Sequence, residues 1–142
     1  MKLYLLHPAA VHFPLALLIA GLGSCVVDAR SKRPSWTADA VSWLLWLGTA
    51  SAWAAAGLGL LAARTAPHAP PAWETLADHR TLGLWTAAMF TLLSAWRFFR
   101  PSWAPRLFLT AWIAAAAVLV AAARLGGELV FTYNMGTAAN EP

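Results

Sequence analysis

Charge is the scarcest thing in this chain. Only 11% of residues are charged, against 60% hydrophobic and a mean hydropathy of +0.58. A soluble domain of similar size carries about 25% charged and 45–50% apolar residues. One cysteine, Cys25, lies inside an apolar run, so no internal disulfide and no cysteine-based metal spacing can be drawn. It reads as a small buried hydrophobe. No glycine-rich phosphate loop, serine-centred nucleophile motif or Cys-x-x-Cys-His haem-attachment motif occurs. The helix interiors read as free of Asp, Glu, Lys and Arg, which argues against a proton pump or ion-coupled transporter. No basic face interleaved with exposed aromatics is present, so nucleic acid is not an expected partner.

Long apolar runs are what is there. They lie at about residues 8–27, 38–63, 79–99 and 107–123. A run of about 20 residues rises about 30 Å as a helix, one hydrocarbon thickness. The expected fold is all-α, an integral membrane four-helix up-down bundle in a single domain of residues 1–142. Thr37 or Ser35 is expected to cap the second helix and Thr75 to Asp78 to open the third in the manner of a capping box. Gly126-Gly127 is expected to stop the fourth, with the following segment folding back over the bundle. Between the two hairpins no convincing sequence repeat is visible. Leu22-Gly23-Ser24-Cys25 looks like a lipobox, but His7, Pro8, His12 and Pro14 are unusual in a signal core, so the segment reads as a retained helix.

The net charge of +4 is explained by topology. Arg30, Lys32, Arg33, Arg97, Arg100 and Arg106 fall at one end of the bundle. At the other, Lys2, Arg64, Arg80 and Arg124 are balanced by Glu74, Asp78, Glu128 and Glu141. The positive-inside rule then places both termini outside, on the periplasmic side of a bacterial inner membrane, in a multi-pass arrangement. Of nine tryptophans, Trp36, Trp73 and Trp103 suit the water–lipid boundary. The deeper ones read as packing or lipid-facing aromatics, or as a wall for a flat cofactor. Gly48, Ala52 and Ala56 form a small-residue stripe suited to close helix approach.

All four histidines fall at the expected outer end: His7, His12, His68 and His79. Helices one and three run inward, so two imidazoles could face each other across the bundle and hold a haem iron. His7 and His12 are five apart, about 140° of helix rotation, and do not share a face. His12 with His79 is therefore the first cross-helix pair and His7 with His79 the second. Whether helix one starts at Pro8 or Pro14 stays open; in the former case Pro14 frees the carbonyl of Ala10 and bends the helix. Arg80 and Arg124 either pair with nearby carboxylates or meet haem propionates. His68, among prolines, reads as solvated.

His7-Pro8, Val11-His12-Phe13-Pro14, Asp78-His79-Arg80 with Gly83, and Gly126-Gly127-Glu128-Leu129-Val130-Phe131 stand in one order along nearly the whole chain. In this the sequence resembles the bacterial membrane family "domain of unknown function 2231". The resemblance implies a four-span protein and, through members associated with cytochrome c-like or Rieske-like domains, redox work and haem. Relatives often carry a histidine where Arg124 stands and another near Tyr133 or Asn134, so it also implies fewer ligands here. The expected function is that of a small b-type cytochrome-like electron carrier. Haem b would be held by His12 and His79, with His7 as a further candidate, Arg80 and Arg124 on the propionates and tryptophans lining the pocket. Its partners would be the lipid bilayer, a quinol or c-type cytochrome, or a larger redox complex. The alternatives are an accessory subunit of a respiratory or photosynthetic complex and a copper or zinc site made by His7, His12 and His79.

Overall fold

The structure, a computed structural model, describes residues 5–30, 34–65, 70–100 and 104–135. Those residues form four long apolar helices, and no strand occurs among them. Helix α1 spans Leu6–Asp28, α2 Thr37–Thr65, α3 Trp73–Phe99 and α4 Pro105–Phe131. A short 3-10 turn, Pro70–Ala72, leads into α3. With 23 to 29 residues each, all four helices exceed the hydrocarbon thickness.

Each helix end has a local cause. α1 begins at Leu6, ahead of both prolines, and is interrupted at Val11 into Leu6–Ala10 and His12–Asp28. Pro14 has no N–H to return to Ala10, and the break falls one residue beyond that carbonyl. Thr37 opens α2 buried, its hydroxyl 2.7 Å from Asp28 Oδ1 and 2.9 Å from the Pro34 carbonyl, so it ties the α1–α2 link down. α4 starts with Pro105 at its first turn, behind Ala104 in a left-handed conformation (φ 48).

Two expectations are corrected here. α3 starts at Trp73, so Thr75 to Asp78 lie inside it rather than capping it. The extra turns carry Glu74 and Asp78 and extend beyond the apolar run, where hydropathy gives no signal. Gly126-Gly127 do not stop α4, which continues to Phe131. The chain turns only at Asn134 (φ 52), with the Met135 N–H returned to the Leu129 carbonyl at 2.8 Å.

The core fills the half of the bundle nearest the two short links, called here the arginine end. Leu18, Val41, Leu45, Phe90 and Trp112 are fully buried in it. Trp112 packs edge-on against Phe90 and Phe108 at 6.2 and 5.7 Å and donates its Nε1–H to the Leu18 carbonyl at 3.2 Å. Gly21 makes the room: a Cβ there would lie 2.8 Å from Trp112 Cζ2. Gly48 does the same for Leu18, at 2.5 Å from Cδ2, which accounts for part of the small-residue stripe. Between α2 and α3 the contacts are polar: Thr49 Oγ1 with Ser94 Oγ at 2.9 Å, and Trp53 Nε1–H to Thr91 Oγ1 at 2.9 Å. At the end of α3, Arg97 donates to Ser42 Oγ and the Ala38 carbonyl at 3.0 and 2.9 Å.

The two hairpins share one plan that residue identity hides. Six buried positions along α2, Val41, Leu45, Gly48, Thr49, Ala52 and Ala55, match six along α4 at one constant offset, Phe108, Trp112, Ala115, Ala116, Leu119 and Ala122, while Thr37 and Leu129 are buried outside the match. Along α1 and α3, Pro14, Leu18 and Gly21 match Thr86, Phe90 and Leu93. The matched residues differ in volume, and Gly21 of one hairpin faces Trp112 of the other. The same register pairs His7 with His79.

Candidate functional site

At the opposite, histidine end the hairpins stand apart. They enclose an apolar cavity of about 460 Å³ whose wall combines small residues, such as Ala52, Ala56, Ala63, Gly83 and Ala123, with leucines and other apolar side chains. Ala72, Leu129 and Met135 form a small buried cluster of their own beside it. A volume of this size lies in the range of small-molecule and cofactor sites.

His7 and His79 project into this cavity from α1 and α3, each half-buried. Their ring centroids are 6.0 Å apart and their planes 70° apart. His7 Nδ1 lies 2.9 Å from the Ala55 carbonyl, and His79 Nδ1 lies 2.8 Å from the Ala122 carbonyl. A carbonyl only accepts, so Nδ1 carries the hydrogen in both rings, and a ring so held keeps a lone pair on Nε2 in its neutral form.

The two cradles are alike in detail. A helix carbonyl already accepts the N–H four residues on, and its second lone pair is reached by passing close to that residue. For Ala55 that residue is Gly59, where a Cβ would lie 2.9 Å from His7 Cε1. For Ala122 it is Gly126, where a Cβ would lie 3.0 Å from His79 Cε1. Glycine at these two places is what admits the imidazole. Along the paired positions of the hairpins, identity is kept here: His7 with His79, Ala55 with Ala122, Gly59 with Gly126.

The other sequence-derived candidates fall around this pair. The structure brings His7, not His12, against His79. His12 is exposed on α1, its Nδ1 3.4 Å from the Ala9 carbonyl, although it also borders the cavity. Arg80 is exposed at the cavity wall; Arg124 is exposed and does not line it. His68 lies outside the described residues. Among the described residues no three His, Cys, Asp or Glu side chains gather into a metal-holding group, so His7, His12 and His79 do not form the expected copper or zinc triad. The tryptophan wall is also corrected: among the described residues no tryptophan lines the cavity. Trp112 is in the core, whereas Trp43, Trp53 and Trp85 are exposed on the bundle surface, where lipid would meet them. The residues that sequence reasoning missed are Ala55 and Gly59. Their signal is the Ala-x-x-x-Gly spacing that recurs at Ala122 and Gly126, both on the helix that follows a histidine-bearing one.

One family profile, described as "Predicted membrane protein (DUF2231)", matches residues 5–139. No curated protein and no solved structure matches the chain.

Proposed function

The chain belongs to this family of predicted membrane proteins, and on that premise we propose that it is a small b-type cytochrome-like electron-transfer protein. The observation that carries the reading is the pair of imidazoles at 6.0 Å, each fixed through Nδ1–H so that Nε2 is available. Metal-bound histidines are typically held in this way, by a backbone carbonyl or carboxylate on the other ring nitrogen. The donor set therefore fits haem b, which His7 and His79 would hold, and the apolar cavity leaves space for a flat apolar group. Bound haem would supply a reversible one-electron step.

The chain's own residues do the rest. Ala55 and Ala122 orient the rings, and Gly59 and Gly126 let them approach. Arg80, at the cavity wall, is the favoured partner for a propionate because its fork matches a carboxylate, with Arg124 as the second candidate. The basic excess at the arginine end supports an orientation with the histidine end periplasmic in a bacterial inner membrane. Electrons would enter from a quinol or a larger redox complex and leave to a c-type cytochrome.

The test is a reduced-minus-oxidised visible spectrum of the detergent-purified protein from cells supplied with haem. A sharp haem band lost in His7→Ala and in His79→Ala, and kept in His12→Ala, is the expected result. A flat spectrum in the unaltered protein overturns the reading. Colourless protein that co-purifies with a larger complex would instead make it an accessory subunit.

A further inference from the structure

The arginine end holds all of the net charge. Its six basic residues meet only two acids, Asp28 and Asp39, which leaves that end with the whole formal excess of +4. At the histidine end four basic residues meet four acids. The structure divides the basic set further. Arg97 is half-buried and spent on α2, where it donates to Ser42 Oγ and the Ala38 carbonyl. Arg30, Arg100 and Arg106 are exposed, and none of them makes an ion pair among the described residues. Guanidinium groups without a carboxylate, at the boundary of a membrane-length bundle, are open to an outside anion.

Next to Arg100 in the chain the surface is aromatic. Trp43, Trp46, Phe98 and Phe99 form a run of rings from α2 across to α3, with successive centroids 5.8, 6.5 and 5.1 Å apart. Trp46 is backed by the core, while Trp43, Phe98 and Phe99 are 61%, 67% and 73% exposed. The run begins about 9 Å along α2 from Thr37 and reaches Phe99, the last residue of α3. Arg100 follows directly. A partner for this face has a flexible apolar body that lies along rings and a compact anionic head at its end. A phospholipid with a net negative headgroup has that chemistry. A zwitterionic lipid suits the rings equally but brings its own cation to the arginines.

We propose that this face of α2 and α3 binds an anionic phospholipid. The headgroup phosphate accepts from the Arg100 guanidinium, whose fork matches two phosphate oxygens. An acyl chain runs along Phe99, Phe98 and Trp43 toward the middle of the bilayer. Arg30 and Arg106 add to the positive field at that end. The ring run alone is an aromatic belt that suits any lipid; the uncommitted arginine selects the anionic one. The histidine end, with its charges balanced, has no such preference. The lipid binds whatever the His7–His79 cavity holds.

The experiment uses full-length protein in a nonionic detergent. Dioleoyl phosphatidylglycerol and dioleoyl phosphatidylcholine are each titrated in, and native mass spectrometry counts the lipid retained on the protein. The chains are the same, so the difference reads the headgroup. The expected result is that phosphatidylglycerol is held about tenfold more tightly, and that Arg100→Gln loses about fivefold of that preference. Arg100→Lys, which keeps the charge, retains most of it and so separates lost charge from lost fold. Arg64→Gln, which alters an exposed arginine in the last turn of α2 at the histidine end, leaves the preference unchanged. Phe98→Ala combined with Phe99→Ala weakens both lipids and keeps the preference. Equal binding of the two lipids, an Arg100→Gln protein that binds like the unaltered one, or an equal loss in Arg64→Gln overturns the proposal. So does displacement of phosphatidylglycerol by inorganic phosphate at matching concentration, since the acyl chain would then add nothing.

Discussion

The arginine end and the histidine end of this bundle are made from the same two hairpins and put them to opposite uses. At the arginine end glycine opposes bulk: Gly21 accepts Trp112 and Gly48 accepts Leu18, and the space closes. At the histidine end glycine opposes an imidazole, and the alanines around it leave a cavity of about 460 Å³. Inside a bilayer the hydrophobic effect does little to bring helices together, so packing and a few polar contacts hold them. One end supplies that packing, and the other is left open for a group it would bind.

The largest expected effect breaks the packed end. Trp112→Ala removes the central side chain and its hydrogen bond to Leu18 and should destabilise the protein by about 3–5 kcal/mol, read by thermal unfolding in detergent. The histidine end should not show so large a loss from truncating a single side chain that faces the cavity, because the space beside it is already open.

Next come the two cradle glycines. Gly59→Ala and Gly126→Ala each push a Cβ against an imidazole and should cost about 1–3 kcal/mol, together with displacement of one ring. The sizes should match, because the cradles match. Stability and the haem band of the two variants, measured side by side, sharpen the comparison between hairpins; a large effect at one and none at the other would falsify their equivalence.

The smallest effect has the opposite sign. Gly57 and Gly83 have open space where a Cβ would be. Gly57→Ala should leave the site intact, and both Gly57→Ala and Gly83→Ala should stabilise by about 0.5–1 kcal/mol, the helix-interior difference between the two residues. Gly57 lies only two residues from Gly59, so the contrast separates a helix effect from a site effect.

Much of the fold was legible in the sequence. The four spans are apolar runs of membrane length, and hydropathy reads those directly. What it did not reach was Trp73 to Asp78, the polar first turns of α3, or the continuation of α4 through Gly126-Gly127. A glycine pair is a stop by local propensity. Here a ring from another helix occupies the missing Cβ position of Gly126, and the helix carries on.

The site was legible in type and only partly in pairing. Histidines on helices one and three at one end were visible, and so was the fact that His7 and His12 take different faces. Which of the two meets His79 depends on how α1 rotates against α2 around the break at Val11, a tertiary outcome that spacing alone does not encode. The repeat escaped notice because its core positions trade volumes, Leu45 for Trp112 and Gly48 for Ala115, so burial repeats where identity does not.

The central claim is that His7 and His79 are held as a matched pair with Nε2 turned to a common ligand. Nitrogen-15 NMR of full-length, histidine-labelled protein without haem tests it most directly. The account predicts that both rings are neutral with the hydrogen on Nδ1, and that haem addition shifts both Nε2 resonances together. A hydrogen on Nε2 in either ring, or a haem response confined to one of them, would contradict it.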